Sequence, residues 1–306
     1  MSSQDKLQRS ILPFQDLPRV GLTTDDAKDP GTKFPPVKDN AMKRYWAKVV
    51  SLSALAGLLL LPPSAAAQSA DELAKQTQNP IASLISVPFQ GNWDFGLGDR
   101  DATSTLLNFQ PVVPFPINKS TNVILRVIMP LTSQPAPDGT RLNGLGDVVT
   151  TAFFSPSKAS RVIWGVGPVF LLPTATNQSL GSEKFGLGPS VVVLTQPGKW
   201  TLGLLFNQIW STSGAKDRTG VNQTYLQPFA NYNLGSGLAV GVSMEASGNW
   251  KAEEAWTAPL LFSISKIAML GKRPVNLSMA AGPTVVGPSG GSSWRFRLAA
   301  TFLFPR

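Results

Sequence analysis

From residue 84 to the end of the chain, apolar and polar side chains alternate with a period of two. That spacing puts successive residues on opposite faces of a β-strand. The last segment shows it most plainly: Trp294, Phe296, Leu298, Ala300, Phe302 and Phe304 fall on one face, with Arg295, Arg297, Ala299 and Thr301 on the other. Residues 86–95 set Val87, Phe89, Trp93 and Phe95 against Ser86, Gln90, Asn92 and Asp94. Residues 121–131 set Val123, Leu125, Val127, Met129 and Leu131 against Asn122 and Arg126, and residues 238–246 set Val240, Val242 and Met244 against Ser243 and Glu245. Two segments lack clear faces. Residues 221–233 carry Gln, Asn and Tyr on both, and residues 161–172 are apolar almost throughout. Past residue 80 no window sustains the spacing of an amphipathic helix, so the pattern predicts about twelve strands.

The links between these strands alternate in length. Residues 96–103, 132–143, 173–183, 212–220 and 248–254 form long polar stretches, while 116–120, 156–160, 196–198, 234–236 and 268–273 are short. The last link, 287–291, belongs to the long set by order but is brief. Long loops at one end and tight turns at the other are the signature of an up-and-down transmembrane β-barrel, and an even strand count returns both termini to the tight-turn side. Strands of roughly ten to thirteen residues suit a tilted crossing of the hydrocarbon, whereas strands in soluble sandwiches average about five or six. The expected fold is therefore all-β, a transmembrane antiparallel barrel over residues 84–306.

The only long apolar run, residues 49–61, follows the basic cluster Lys43, Arg44 and Lys48 and precedes Pro62, Pro63 and the small residues Ala65, Ala66 and Ala67. This is the build of a secretory signal peptide over residues 42–67, cleaved after Ala67, and the run is too short to span a bilayer comfortably. Residues 1–41 carry six basic and six acidic side chains without periodicity. They read as a misassigned start upstream of Met42 or as a disordered extension. Residues 68–83 are then a periplasmic N-terminal segment leading into the barrel.

Composition narrows the chemistry. The 306 residues include neither Cys nor His, which removes disulfides, thiol nucleophiles, imidazole bases and Ser-His catalysis. Export without Cys points to a bacterial envelope protein that is stable without disulfides. Residues 68–306 hold 18 basic and 12 acidic side chains, scattered singly rather than gathered into the patch a nucleic-acid binder needs. The Gly pairs 96/98, 144/146, 165/167 and 186/188 continue into neither G-x-G-x-x-G nor a P-loop, and suit the bends and close approaches of a barrel wall. The acidic pairs Asp99 with Asp101 and Glu253 with Glu254 fall in expected loops, where exposed carboxylates are ordinary. No cofactor and no metal site is expected.

Charged groups face lipid only at high cost, so the polar face should line a wet lumen. The candidates are Asn92, Asp94, Asn108, Gln110, Asn122, Arg126, Asn222, Glu245, Arg295 and Arg297. They bind or filter a solute, or they pair with one another and plug the interior. Closure makes the first and last strands neighbours and so predicts a salt bridge from Asp94 to Arg295 or Arg297. Trp93, Trp164, Trp200, Trp210, Trp250, Trp256 and Trp294 fall at or near strand ends, as an aromatic girdle at the membrane interfaces would.

Residues 73–98, 155–176, 180–211 and 250–260 resemble bacterial proteins named "transporter" or "neuromedin U", a family similar to the outer-membrane proteins of the MetA pathway of phenol degradation. The hormone label has no physical support here. The resemblance covers nearly all of residues 71–306 and implies an outer-membrane barrel that moves small, aromatic or hydrophobic compounds, with no catalytic residues to carry over. One departure is the end of the chain: outer-membrane strands commonly finish on an aromatic residue, but Phe304 is followed by Pro305 and Arg306.

The expectation is a passive, narrow channel rather than an enzyme, with Arg126, Arg295 and Arg297 biasing it toward anionic or polarisable solutes. Outer-membrane lipid, a small-molecule solute and the barrel assembly machinery are the partners this implies. Two other classes remain open: a structural or adhesive barrel with a plugged lumen, which would show no ion conductance, and a soluble secreted sandwich, which membrane fractionation would reveal.

Overall fold

The computed structural model describes residues 69–136, 138–158 and 160–305. The extension at 1–41 and the signal peptide at 42–67, with its cleavage point after Ala67, lie outside the described residues. A helix, α1 (Ala70–Thr77), leads into fifteen strand segments. These are β1 (Ile85–Leu97), β2 (Ala102–Phe109), β3 (Val112–Pro116), β4 (Thr121–Pro135), β5 (Arg141–Leu145), β6 (Val148–Pro156), β7 (Val162–Leu172) and β8 (Lys184–Thr195). They continue as β9 (Trp200–Gly214), β10 (Asn222–Gly235), β11 (Leu238–Met244), β12 (Ala246–Asn249), β13 (Trp256–Leu270), β14 (Arg273–Val286) and β15 (Trp294–Phe304).

Three strands are split: β2 with β3, β5 with β6 and β11 with β12 each pair the same neighbour and count once, which gives twelve antiparallel strands. Two of the breaks have a local cause. Pro111 offers no N–H between β2 and β3, and its carbonyl takes the Val127 amide instead. Glu245 interrupts β11 and β12 while its amide bonds Pro259 O. The ring closes through β1 and β15, paired from Ile85 with Phe304 to Phe95 with Trp294, so no edge is left open.

Alternation sends one face outward, where Phe89, Leu107, Val193, Leu202, Phe262, Met279 and Leu298 are all exposed. An exposed apolar band on every side of a closed barrel is the surface a hydrocarbon environment accepts and water does not. Among the described residues no helix is long and apolar enough to cross a membrane; the strands do so. Tight turns gather at one end, such as Ser236 with Gly237, both at positive φ. At the other end the expected long loops at 96–103 and 132–143 are shorter than the sequence suggests. β4 runs on to Pro135 and β5 starts at Arg141, so this hairpin ladder stands where a loop was expected.

Two glycines of the expected wall pairs hold backbones in close approach. A Cβ on Gly188 would lie 1.7 Å from Gln208 O, and one on Gly167 would lie 1.8 Å from Ala152 O. The added methyl meets main chain that cannot rotate away, so Gly188→Ala is expected to destabilise the barrel by about 1–3 kcal/mol. The temperature at which folded and boiled forms separate on a gel would fall; an unchanged temperature would remove this account of the wall.

The interior is packed on one side. Ile128, Val149, Val169, Leu171, Ile209 and Val221 form one inward cluster, and Ile81, Ile124, Phe153, Val192, Leu194 and Leu205 a second. A third joins α1 to the tight-turn end through Leu73, Ala74, Ala82, Leu84, Ile267 and Leu303.

Candidate functional site

The polar side of the interior is built from β1, β2, β4, β15 and the break between β11 and β12. On β1 the inward parity presents Asn92 and Asp94, both about 1% exposed. The register of closure sets Asp94 directly opposite Arg295 and Asn92 opposite Arg297. Arg295 clamps Asp94 with Nε at 2.6 Å and Nη2 at 3.0 Å, the paired fork-to-carboxylate geometry. The seam salt bridge expected from closure is thus present.

Glu245 extends the pair into a network. It accepts from Arg295 Nη1 at 3.2 Å and from Arg297 Nη1 and Nη2 at 2.7 and 2.6 Å, with Gln227 Nε2 at 3.3 Å. Arg297 Nε completes its fork on Asn92 Oδ1 at 2.7 Å. The bridge spans the inner faces of β13 and β14, where the residues in register with Arg297 are the small Ala280 and Ser263. Small side chains there leave room for the guanidinium groups to cross a chord of the barrel.

Arg126 stands apart from these ion pairs. Its Nη2 donates to Gln110 Oε1 at 2.8 Å, and among the described residues no carboxylate lies within ion-pair distance of it. Asn108, next to Gln110 on the inward face, is buried. Asn122 points inward at the tight-turn end and donates to Ser83 Oγ at 3.4 Å.

Asn222 does not line the lumen. It is in register with Trp210, an exposed outward residue, and its side chain accepts from Gln208 on the outer face at 2.9 Å. The segment carries polar residues on both faces, so alternation alone could not set its parity. Outward polar groups gather here: Thr224 bonds Gln208 and accepts from Trp250 Nε1 at 2.8 Å.

The tryptophans fall near both ends. Trp164 and Trp200 are exposed close to the tight turns, Trp200 packing edge-on to Tyr232 at 4.9 Å. Trp210, Trp250 and Trp294 are exposed toward the loops, with Trp256 against Trp250 at 5.6 Å and Trp93 tilted against Phe296 at 5.9 Å.

Three features escaped the sequence pattern. Tyr225 packs against the second apolar cluster from β10. Asp147, between β5 and β6, is fully buried and accepts from Ser182 N, Ser182 Oγ and Ala175 N, fastening the 173–183 loop to the wall. The third is α1, whose capping box of Ser69 and Glu72 was the available signal. It crosses the tight-turn end, where Gly237 N donates to Asp71, Lys75 Nζ to Gly198 O, Asn276 Nδ2 to Thr77, and Gln78 pairs with Asn233.

Against known proteins, no family profile and no curated sequence matches the chain. Among solved structures, an outer membrane channel from Pseudomonas putida aligns with a TM-score of 0.55 at 15% identity, covering 72% of this chain and 94% of that one. The fold is that of an outer-membrane barrel. The NanC porin aligns at a TM-score of 0.46 and 15% identity over 71% of this chain and 98% of its own. Outer membrane phospholipase A from Escherichia coli aligns at 0.42 and 10% identity over 78% and 99%.

Proposed function

We propose that the chain is a passive channel of the bacterial outer membrane, not an enzyme, and that it passes small solutes with an aromatic or otherwise hydrophobic body. The resemblance to the transporter family of the phenol-degradation MetA pathway points the same way. One observation carries the reading: the lumen has two unlike walls. The inward residues of β6 to β9 are largely apolar, while β15 and β1, half the circumference away, carry the charge network. A barrel that only needed filling could be filled by side chains alone, whereas an apolar wall beside polar groups lowers the cost of entry for an oily solute that keeps one polar end.

The purified protein is expected to give discrete conductance steps in planar lipid bilayers, and cells lacking it should take up such solutes more slowly. A correctly folded barrel that stays silent under applied voltage, with uptake unchanged, would refute the channel. α1 across the tight-turn mouth favours a second reading, a sealed barrel whose loops do the work.

A further inference from the structure

We propose that the tight-turn end of the barrel is a docking ring for anionic phospholipid, whose headgroup phosphates seat on lysines and arginines set around the rim. Conduction and the lumen play no part in it.

Charge divides along the barrel axis. Lys119 lies in the β3–β4 turn, Lys158 and Arg161 in the β6–β7 turn, Lys199 in the β8–β9 turn, and Lys272 and Arg273 where β13 turns into β14. Lys266 serves the remaining turn, donating from Nζ to Ser236 O at 2.7 Å. With Lys75 of α1, this end carries eight basic side chains against two acidic ones, Asp71 and Glu72. Each of those two accepts a backbone amide, from Gly237 and Ser69 respectively. The loop end is different: residues 96–103, 136–147, 173–184, 212–220 and 250–255 hold eight acidic and six basic side chains. There Arg218 is paired with Glu183 at 3.1 Å. The basic residues stand singly along the sequence, and the up-and-down topology gathers them by bringing every tight turn to one rim. None of the eight is ion-paired among the described residues, so the charge of the rim is left for a partner.

Position says which anion. The exposed apolar band of the barrel reaches these cations: Ile117 is 57% exposed two residues from Lys119, and Leu270 is 65% exposed two residues from Lys272. Val162 lies exposed beside Arg161 and Trp200 beside Lys199, while the Arg273 guanidinium sits over the Phe304 ring at 4.9 Å. A dissolved polyanion such as a cell-wall glycopeptide would use the charge and gain nothing from the apolar groups. A phospholipid uses both. Its acyl chains cover Ile117, Val162 and Leu270, and its phosphate lies at the height where Trp200 and the snorkelling cations of the same turns end. An uncompensated positive rim then favours a headgroup of net negative charge over one whose phosphate carries its own ammonium.

The test competes phosphatidylglycerol against phosphatidylcholine of the same acyl chains, in equal amounts, for the detergent-solubilised protein, and counts the retained lipids by native mass spectrometry. The wild type should retain phosphatidylglycerol at least about fivefold more, the factor given by about 1 kcal/mol of attraction per basic side chain. Lys119→Gln, Lys158→Gln, Lys199→Gln and Lys272→Gln combined should bring that ratio close to one. All four side chains are exposed, so this variant should keep the heat-dependent gel shift of a folded barrel. Lys216→Gln with Lys251→Gln, at the loop end, should leave the ratio unchanged. Equal retention by the wild type, a preference that survives in the fourfold variant, or an equal loss in the loop-end variant would overturn the proposal. A wild type with a ratio near one that pellets with isolated peptidoglycan, and is released by the four substitutions, would give the ring to the cell wall and overturn the lipid site. Should the fourfold variant fail to fold, the wild-type ratio decides, since a value near one refutes the ring.

Discussion

Glu245→Ala is expected to be the most destabilising single substitution in the interior, at about 3–5 kcal/mol, because it strips a buried carboxylate from two arginines at once. Arg295 would keep its fork on Asp94, but Arg297 would keep, among the described residues, only its bond to Asn92 in a poorly solvated space. A loss of that size is a large fraction of the stability of an ordinary domain. Asp94→Asn should cost less, since Arg295 retains Glu245 at 3.2 Å and the amide oxygen still accepts a hydrogen bond. Urea titration in detergent, followed by Trp fluorescence, would rank the two. An Asp94→Asn protein less stable than Glu245→Ala would show that the seam pair, not the shared carboxylate, anchors the network.

Deleting residues 69–82 is expected to leave a folded barrel and to raise its conductance severalfold. α1 forms no part of the sheet ladder, so every strand pairing survives its loss. What it supplies is a cover: Leu73 and Ala74 close over Ile267 and Leu303, and Ile81 reaches into the second inner cluster. Five hydrogen-bond contacts from different turns and strands hold it there, each exposed or partly buried and individually modest. Single-channel recording of full-length and shortened proteins makes the comparison. Equal current in both would place the constriction elsewhere, and silence in both would favour the sealed barrel.

The outer surface was legible because lipid imposes a strict rule: β1, β4, β11 and β15 each keep one face apolar, and the observed faces follow that alternation. Closure made the Asp94–Arg295 pair legible as well, since the first and last strands of a barrel have no other neighbour available. The inner surface was not legible to the same degree. In β7, Val162, Trp164 and Val166 face outward while Val169 and Leu171 are fully buried inside, so an apolar run carries no mark of which side is which. The same loss of parity misplaced Asn222. The three lumenal arginines look alike in sequence, and only side-chain geometry shows that two are neutralised and one is not. The short helix went unread because eight residues give too few turns for a periodic signal, although its cap was written in Ser69 and Glu72.

Asp94 and Arg295 lie 201 positions apart, so neither can meet the other until the ring of strands is complete. During assembly Glu245, 50 and 52 positions upstream, can already meet Arg295 and Arg297, whereas Asp94 waits as a bare anion, unwelcome in oil. Sealing the cylinder and pairing that anion are therefore a single event, which ties the last step of insertion to the last ion pair.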